Sequence, residues 1–318
     1  MNHSDDGFAV MLLTLELDSD RDNPGFPLNG AEYTELVRRM EGCGLRGLGE
    51  FINGEMSGFE LKLGYSRDEA YRLCLLLDRK RELGRAMDTM LGCGGDIICT
   101  ADDAFPKQLS DKLGAALVPS FYVCGNLSLL NMPLIAVMGA SGIKTDPEMR
   151  NDARTLVRCA LKNGIGIVTT SELGLARAAE EEVLSNGGFM VNVLAGDMLK
   201  RMEEPNVKRA LDDGRLLLIS KTHPLTPFSN ERARDRMRLV YALGQAAFIF
   251  TTDKKRSEAE AVKRGWTDRL YFRSMEDCPT LSPKYAKKVM PIGNTGEFDF
   301  KSVAYMWQSS QTEQLSLF

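Results

Sequence analysis

Residues 134–142 read Leu-Ile-Ala-Val-Met-Gly-Ala-Ser-Gly, a short apolar run that ends in a glycine-containing turn. Five hydrophobic residues in succession predict a fully buried parallel strand, and a glycine in the turn lets a ligand or another backbone approach closely. Asp146 and Pro147 predict the start of a helix, because aspartate suits the N-cap and proline suits the first helical position. Strand, turn and helix are the first step of a doubly wound sheet, in which ligands bind at the carboxyl ends of the strands.

The same alternation continues on both sides of this unit. Runs of apolar or β-branched residues predict further strands at 94–100, 121–126, 164–170, 187–195, 216–220, 247–252 and 269–273. Helical spacing of apolar residues fills most of the intervals between them, for example over 173–184. The fold class is therefore α/β, a Rossmann-like, doubly wound, mainly parallel sheet with right-handed crossovers.

The first part of the chain predicts helices instead. Residues 31–41 have helical spacing, and Ser66 with Glu69 three positions later forms a capping-box pattern that opens another helix. Residues 9–17 fit a buried helix, although their length also fits a strand.

These patterns predict three domains. A small helical domain is expected over 1–92, a Rossmann-like domain over 93–280, and a C-terminal extension over 281–318.

Composition narrows the functional classes. The 318 residues include 40 Lys and Arg against 44 Asp and Glu, a net charge of -4 that argues against a wholly basic nucleic-acid coat and leaves room for a local basic patch. Seven cysteines without a CxxC pair, and only two histidines, give no zinc-site spacing, so we expect no metal and no cofactor. The apolar run over 9–15 is too short to span a bilayer, and a cytoplasmic protein with reduced thiols is expected.

Six short motifs occur in an order that resembles the DprA/Smf family of DNA-processing proteins. They are FPKQL at 105–109, CGN at 124–126, IAVMGAS at 135–141, GIVTTSELGLARAA at 166–179, GGFMVNVLAGDM at 187–198 and FSNERARDRMRLVYAL at 228–243. The resemblance implies a Rossmann-like domain after a small helical domain, binding of single-stranded DNA as a homodimer, and delivery of that DNA to the RecA recombinase. It also implies no enzymatic activity, so we expect an adaptor in recombination, repair or natural transformation.

The motifs that bind phosphate are eroded in this chain. The family's Gly-Ser-Arg turn corresponds to Gly139, Ala140 and Ser141, so the glycine is kept and the arginine is missing. In the second motif Gly174 is kept, while the family's serine, first glycine and aspartate are replaced by Thr169, Thr170 and Ala176. The family's histidine, a little further on, is replaced by Glu180. Glycine-rich turns bind phosphate through backbone N–H groups, and arginine adds charged contacts. DNA phosphates are still the expected ligands of Gly139, Ser141 and Gly174.

Positive charge is concentrated elsewhere. Arg232, Arg234, Arg236 and Arg238 fall into two i, i+4 pairs on a helix, and Arg236 and Arg238 match the cations of the family's Arg-Asn-Arg motif. Lys254 and Lys255 follow the next strand, and together these side chains predict a groove that neutralises a DNA backbone. The alternative is a solvated helix face in which the arginines pair with acidic neighbours.

Three other residues, Phe228, Asp197 and His223, are candidates for a functional site. Phe228 is a candidate for stacking on bases, whereas the apolar neighbours of Tyr241 and Phe248 favour core packing for those two rings. Asp197 follows the third strand of the parallel unit, where it is either an acid that faces a ligand or the N-cap of the next helix. His223 fits a structural role better than a catalytic one.

The tail carries a separate signal. Gln314, Leu315, Ser316, Leu317 and Phe318 are very similar to the pentapeptide by which bacterial polymerases and repair proteins bind the β sliding clamp. In that mode of binding the glutamine hydrogen-bonds a polar pocket, and Leu315, Leu317 and Phe318 would fill an apolar cleft. The alternative is an apolar tail that packs on its own domain.

A second functional class is a nucleotide-binding sensor or a phosphoribohydrolase-like enzyme of the same Rossmann superfamily. Such hydrolases need a PGGxGTxxE string, which this sequence lacks, and no other catalytic constellation is found. A non-catalytic DNA-binding adaptor is therefore the preferred interpretation.

Overall fold

The computed structural model of the chain describes residues 3–17, 27–53, 55–139, 146–252, 258–267, 269–278, 289–305 and 308. The helices in this part of the chain include α1 (Asp5–Thr14), α2 (Gly30–Gly42), α3 (Met56–Leu63), α4 (Arg67–Leu77), α5 (Lys80–Gly92), α6 (Lys107–Leu113), α7 (Pro147–Lys162), α8 (Leu175–Ser185), α9 (Met198–Met202), α10 (Pro205–Asp212), α11 (Asn230–Asp235), α12 (Met237–Leu243) and α13 (Glu258–Arg264). The strands are β1 (Gly95–Cys99), β2 (Ser120–Gly125), β3 (Leu134–Met138), β4 (Gly166–Thr169), β5 (Met190–Val193), β6 (Leu216–Ser220), β7 (Ala246–Ile249), β8 (Arg269–Phe272) and β9 (Val289–Pro291).

The described strands form a nine-stranded sheet in the order β1-β2-β6-β5-β4-β3-β7-β8-β9. β1 and β2 are antiparallel, whereas β3 pairs in parallel with β4 and β7, and the β4–β5, β7–β8 and β8–β9 pairs are parallel. The chain extends the sheet from β3 to β6 in one direction and then returns to add β7 on the other side of β3. The topological switch point therefore lies between β3 and β7, where ligands of doubly wound sheets bind.

Contacts divide the chain into two compact units. The first contains residues 1–124, 195–201 and 219–232, and the second contains 125–194, 202–218 and 233–318. The domain boundaries at residues 92 and 280 stay predictions.

In the first unit α4, α5 and β1 pack against α1. Its residues 9–13 are at most 2% exposed, and Ser4 caps its amino end by accepting a hydrogen bond from the Gly7 N–H. At the other end, the Arg79 guanidinium donates to the carbonyl oxygens of Leu12 and Leu15, which satisfies groups that a helix end leaves unpaired. Burial lowers the pKa of Arg79 to about 10.

In the second unit the central strands are fully buried. Every residue of β3, β4 and β5 is buried, which explains why these strands read as continuous apolar runs. The amino end of β3 is completed by Gln245, which is 4% exposed. The side-chain Oε1 of Gln245 accepts from the Leu134 N–H at 2.6 Å, and the backbone N–H of Gln245 donates to the Leu134 carbonyl at 2.9 Å.

The prediction of a Rossmann-like, mainly parallel sheet preceded by helices is confirmed. Residues 9–17, which fitted a helix or a strand, are helical in α1 up to Thr14. The Ser66–Glu69 capping box and the Asp146 cap are both present, and Tyr241 and Phe248 are 0% exposed, as core packing predicted. The sequence missed β9, because three residues are too few to show a period. Among the described residues, no helix combines the length and apolar character needed to cross a bilayer.

We predict that Gln245→Leu lowers the free energy of unfolding by about 1–3 kcal/mol, because the Leu134 N–H would stay buried without an acceptor. Equilibrium urea unfolding measures this change. An unchanged midpoint would show that the side-chain bond contributes nothing to β3.

Candidate nucleic-acid interface

Close packing around the turn after β3 favours glycine at position 139. A Cβ atom on Gly139 would lie 3.3 Å from Leu175 Cβ and 3.3 Å from Thr251 Cγ2. Close packing of α8 and of the segment after β7 against this position therefore favours glycine. Whether Gly139 also contacts a DNA phosphate stays a prediction, and Ser141 lies outside the described residues.

The loop after β4 has an unusual backbone. Ser171 has a φ of 57°, and Gly174, which precedes α8, has a φ of 98°. A residue other than glycine in the left-handed region costs about 1–3 kcal/mol, and such residues concentrate at functional sites. The Ser171 hydroxyl is also buried without a hydrogen-bond partner among the described residues. The sequence motif marked Gly174 as a kept residue of this loop but gave no sign of the left-handed backbone at Ser171.

Arg236 connects the loop after β4 to the end of β5. Its guanidinium donates to the carbonyl oxygens of Thr170 at 3.2 Å and Val193 at 3.1 Å, and it pairs with the Glu172 carboxylate. Thr170 follows β4 and Val193 ends β5, so one side chain joins the carboxyl ends of two adjacent strands. Arg236 is only 5% exposed. Its described contacts are with protein, and a role in DNA binding would act through the loops that it positions.

The other three arginines have three different environments. The Arg232 side chain is 12% exposed, pairs with Glu16 at 3.3 Å and donates to the Pro227 carbonyl at 3.2 Å. Arg238 pairs with Asp235 at 3.0 Å, and burial lowers its pKa. Arg234 is exposed. The single predicted helix is divided into α11 and α12 at Arg236. Arg238 pairs with an acidic neighbour on the chain, as in the alternative of a salt-bridged face, whereas the partner of Arg232 lies far away in sequence.

A buried polar network occupies the position of the family's histidine. Glu180 is 1% exposed and accepts from Arg177 at 3.1 Å and from Asn192 Nδ2 at 3.3 Å. Arg177 also pairs with Glu204 at 3.0 Å. Burial disfavours the charged form of Arg177, but the carboxylates of Glu180, Glu204 and Glu181 outweigh this effect and raise its pKa. Sequence reasoning noticed Glu180 as a replacement but missed Arg177 and Asn192, which had no motif to mark them.

The loop after β6 presents apolar side chains outward. Phe228 is 46% exposed and Leu225 is 64% exposed, whereas Thr226 between them is 1% exposed. Phe228 is therefore accessible, as a base-stacking ring must be. His223 packs edge-on against the Tyr122 ring, with centroids 5.8 Å apart, which agrees with a structural role.

Several predicted site residues lie outside the described residues. They are Ser141, Lys254, Lys255 and the four tail residues Gln314, Leu315, Leu317 and Phe318. Within the described part of the chain, no cluster of three or more His, Cys, Asp and Glu side chains is placed to hold a metal ion.

The sheet is mainly parallel and has its switch point between β3 and β7, which defines a Rossmann-like protein. Residues 96–262 match the family model of the DNA recombination-mediator protein A, and because this match covers more than half of the 318 residues, the chain belongs to that family. The resemblance to DprA/Smf proteins is thereby confirmed.

One solved structure supports the fold, and a second is similar in part. The X-ray structure of DNA processing protein A from Streptococcus pneumoniae is 18% identical with a TM-score of 0.59, and the match covers 86% of this chain and 99% of that one. The Helicobacter pylori DNA processing protein A, described for its single-stranded DNA binding mode, is 19% identical with a TM-score of 0.48, over 69% of this chain and 96% of that one. No curated protein matches the chain in a sequence comparison.

We predict that Arg236→Met and Arg234→Met differ strongly in their effect on stability. Loss of the buried guanidinium leaves two carbonyls and the Glu172 carboxylate without their donor, which costs about 3–5 kcal/mol. The exposed Arg234 is the matched control, and its substitution is expected to change the free energy of unfolding by less than about 0.5 kcal/mol. Chemical denaturation of both variants tests this, and equal losses would contradict the assignment of Arg236 to a structural role.

Proposed function

We propose that this protein is a non-catalytic adaptor that binds single-stranded DNA in recombination, repair or DNA uptake. The observation that carries the proposal is membership of the DNA recombination-mediator family over residues 96–262. Binding of single-stranded DNA is what the resemblance to DprA/Smf proteins implies for the chain.

The described residues offer the two kinds of contact that single strands need. Non-specific binding of single strands combines cations along the phosphate backbone with aromatic rings on which bases stack. Arg234 is an exposed cation, and Phe228 is an aromatic ring with 46% of its surface exposed. Because the net charge is -4, attraction to DNA has to come from a local patch. Lys254 and Lys255 belong to the proposed patch on sequence grounds.

The partners belong to the same proposal. Homodimerisation and delivery of DNA to a RecA-like recombinase are implied by the resemblance. The tail residues Gln314, Leu315, Leu317 and Phe318 support recruitment by the β sliding clamp, because together with Ser316 they reproduce its pentapeptide over all five positions.

We predict that affinity for a labelled oligo(dT) falls linearly with the logarithm of the salt concentration. Arg234→Gln should weaken binding and reduce the magnitude of this slope by about 0.7, because one phosphate contact is lost. Arg85→Gln is the matched control, since Arg85 lies on α5 and its side chain is 72% exposed. Fluorescence anisotropy at four salt concentrations gives both quantities.

Two outcomes would contradict this proposal. If the wild-type protein does not bind at low salt and instead retains or hydrolyses a nucleotide, the sensor or phosphoribohydrolase-like class is supported. If Arg85→Gln and Arg234→Gln change the slope equally, the effect comes from net charge and Arg234 is not part of the interface.

We also predict that Leu315→Ala/Phe318→Ala abolishes recovery of purified β sliding clamp in a pull-down, because the two apolar anchors are lost. Ser316→Ala should retain binding, since the described mode of docking does not use that side chain. Equal recovery with all three proteins would remove the clamp from the partners.

A further inference from the structure

The turn after β5 has a backbone that few sequences adopt. Gly196 has a φ of 130° and Asp197 a φ of 55°, so two consecutive residues have positive φ, and the second is not glycine. Asparagine and aspartate tolerate this region better than other side chains do, and such conformations persist only where surrounding contacts determine them.

Those contacts come from the loop at 224–228. The Asp197 N–H donates to the Thr226 carbonyl at 2.7 Å, and the Asp197 carboxylate accepts from the Phe228 N–H at 3.1 Å. A Cβ atom on Gly196 would lie 2.6 Å from the Pro227 carbonyl, so only glycine lets the two backbones approach this closely. The unusual turn is therefore shaped to the 224–228 loop.

These contacts hold the backbone of the loop and leave the ring of Phe228 exposed. Thr226 is 1% exposed and donates its N–H to the His223 carbonyl at 2.9 Å. Phe228 is bonded through its backbone at 3.1 Å, while its side chain is 46% exposed. A ring presented on a fixed backbone loses less conformational entropy when it binds a ligand.

The sequence predicts that Asp197 is either a ligand-facing acid or a helix cap. Its carbonyl accepts from the Arg201 N–H at 2.9 Å, as expected for a residue that precedes α9. Its carboxylate is bonded to the backbone of Phe228, which places this acid against protein.

We propose that Gly196 and Asp197 are positioning residues that hold Phe228 in place for stacking on a base of single-stranded DNA. This inference rests on the proposed function and assigns Asp197 an indirect role, since it acts through the Phe228 backbone. The charge of the carboxylate is not needed, because any side-chain oxygen at this place accepts the hydrogen bond.

Three substitutions separate the hydrogen bond from the backbone conformation. Asp197→Asn keeps both the oxygen acceptor and tolerance of positive φ, whereas Asp197→Gly keeps the tolerance and removes the acceptor. Phe228→Ala removes the ring. Because glycine relieves the backbone strain, Asp197→Gly is expected to fold, and its thermal unfolding provides the check.

The assay is binding of an oligo(dT) that contains one 2-aminopurine, whose fluorescence reports stacking. Phe228→Ala is expected to weaken binding on the order of tenfold, the loss typical of one stacked base. Asp197→Gly should weaken binding comparably and reduce the fluorescence change, and Asp197→Asn should stay within about twofold of the wild-type affinity. The double variant Asp197→Gly/Phe228→Ala should bind no more weakly than Phe228→Ala, because the two residues act through one contact.

Wild-type affinity in Asp197→Gly would overturn the inference, and so would a double variant whose loss equals the product of the single losses. Either result leaves the proposed function intact as long as the wild-type protein binds the oligonucleotide. Failure of the wild-type protein to bind at low salt would overturn the proposed function and this inference together.

Discussion

The structure depends on one buried side chain, the guanidinium of Arg236. It donates to the carbonyl oxygens of Thr170 and Val193 and pairs with the Glu172 carboxylate, while only 5% of the residue is exposed. Removing a buried cation that makes charged hydrogen bonds strongly lowers the stability of the fold, because each partner would be left unsatisfied in a low-dielectric environment. The ends of β4 and β5 are thus joined by a contact that needs no ligand.

This contact changes the meaning of the eroded phosphate motifs. The family resemblance suggested a pocket that had lost an arginine and a glycine, and therefore a weaker anion site. In the structure, close packing against Leu175 and Thr251 favours the kept glycine at 139. The kept arginine at 236 serves the loops, and the exposed Arg234 and Phe228 are the residues that we propose for DNA. In this proposal, Arg236 and the two DNA-binding residues belong to the same motif at 228–243 but have different roles.

Sequence patterns predicted the fold well, because buried parallel strands such as β3 leave a continuous apolar run and helix caps such as Ser66 and Asp146 have local signals. They failed where the cause was not local. The pairing of Arg232 with Glu16 joins residues 216 positions apart, and the bond between Phe228 and Asp197 spans 31 positions. The alternate arginines predicted one basic helix face, because the charge of a residue can be read from the sequence. The burial of Arg236 cannot, because it arises only from tertiary packing. The left-handed conformation of Asp197 likewise has no signature beyond a residue type that tolerates it.

The central claim is our proposal that single-stranded DNA binds the segment after β6 that carries Phe228 and Arg234. Hydrogen–deuterium exchange of the protein with and without a saturating oligo(dT) tests it directly. Amides of residues 225–234 are expected to exchange more slowly in the complex, while those of α2 to α5 keep their rates. Protection confined to α2 to α5, in a sample where binding is demonstrated, would contradict the account.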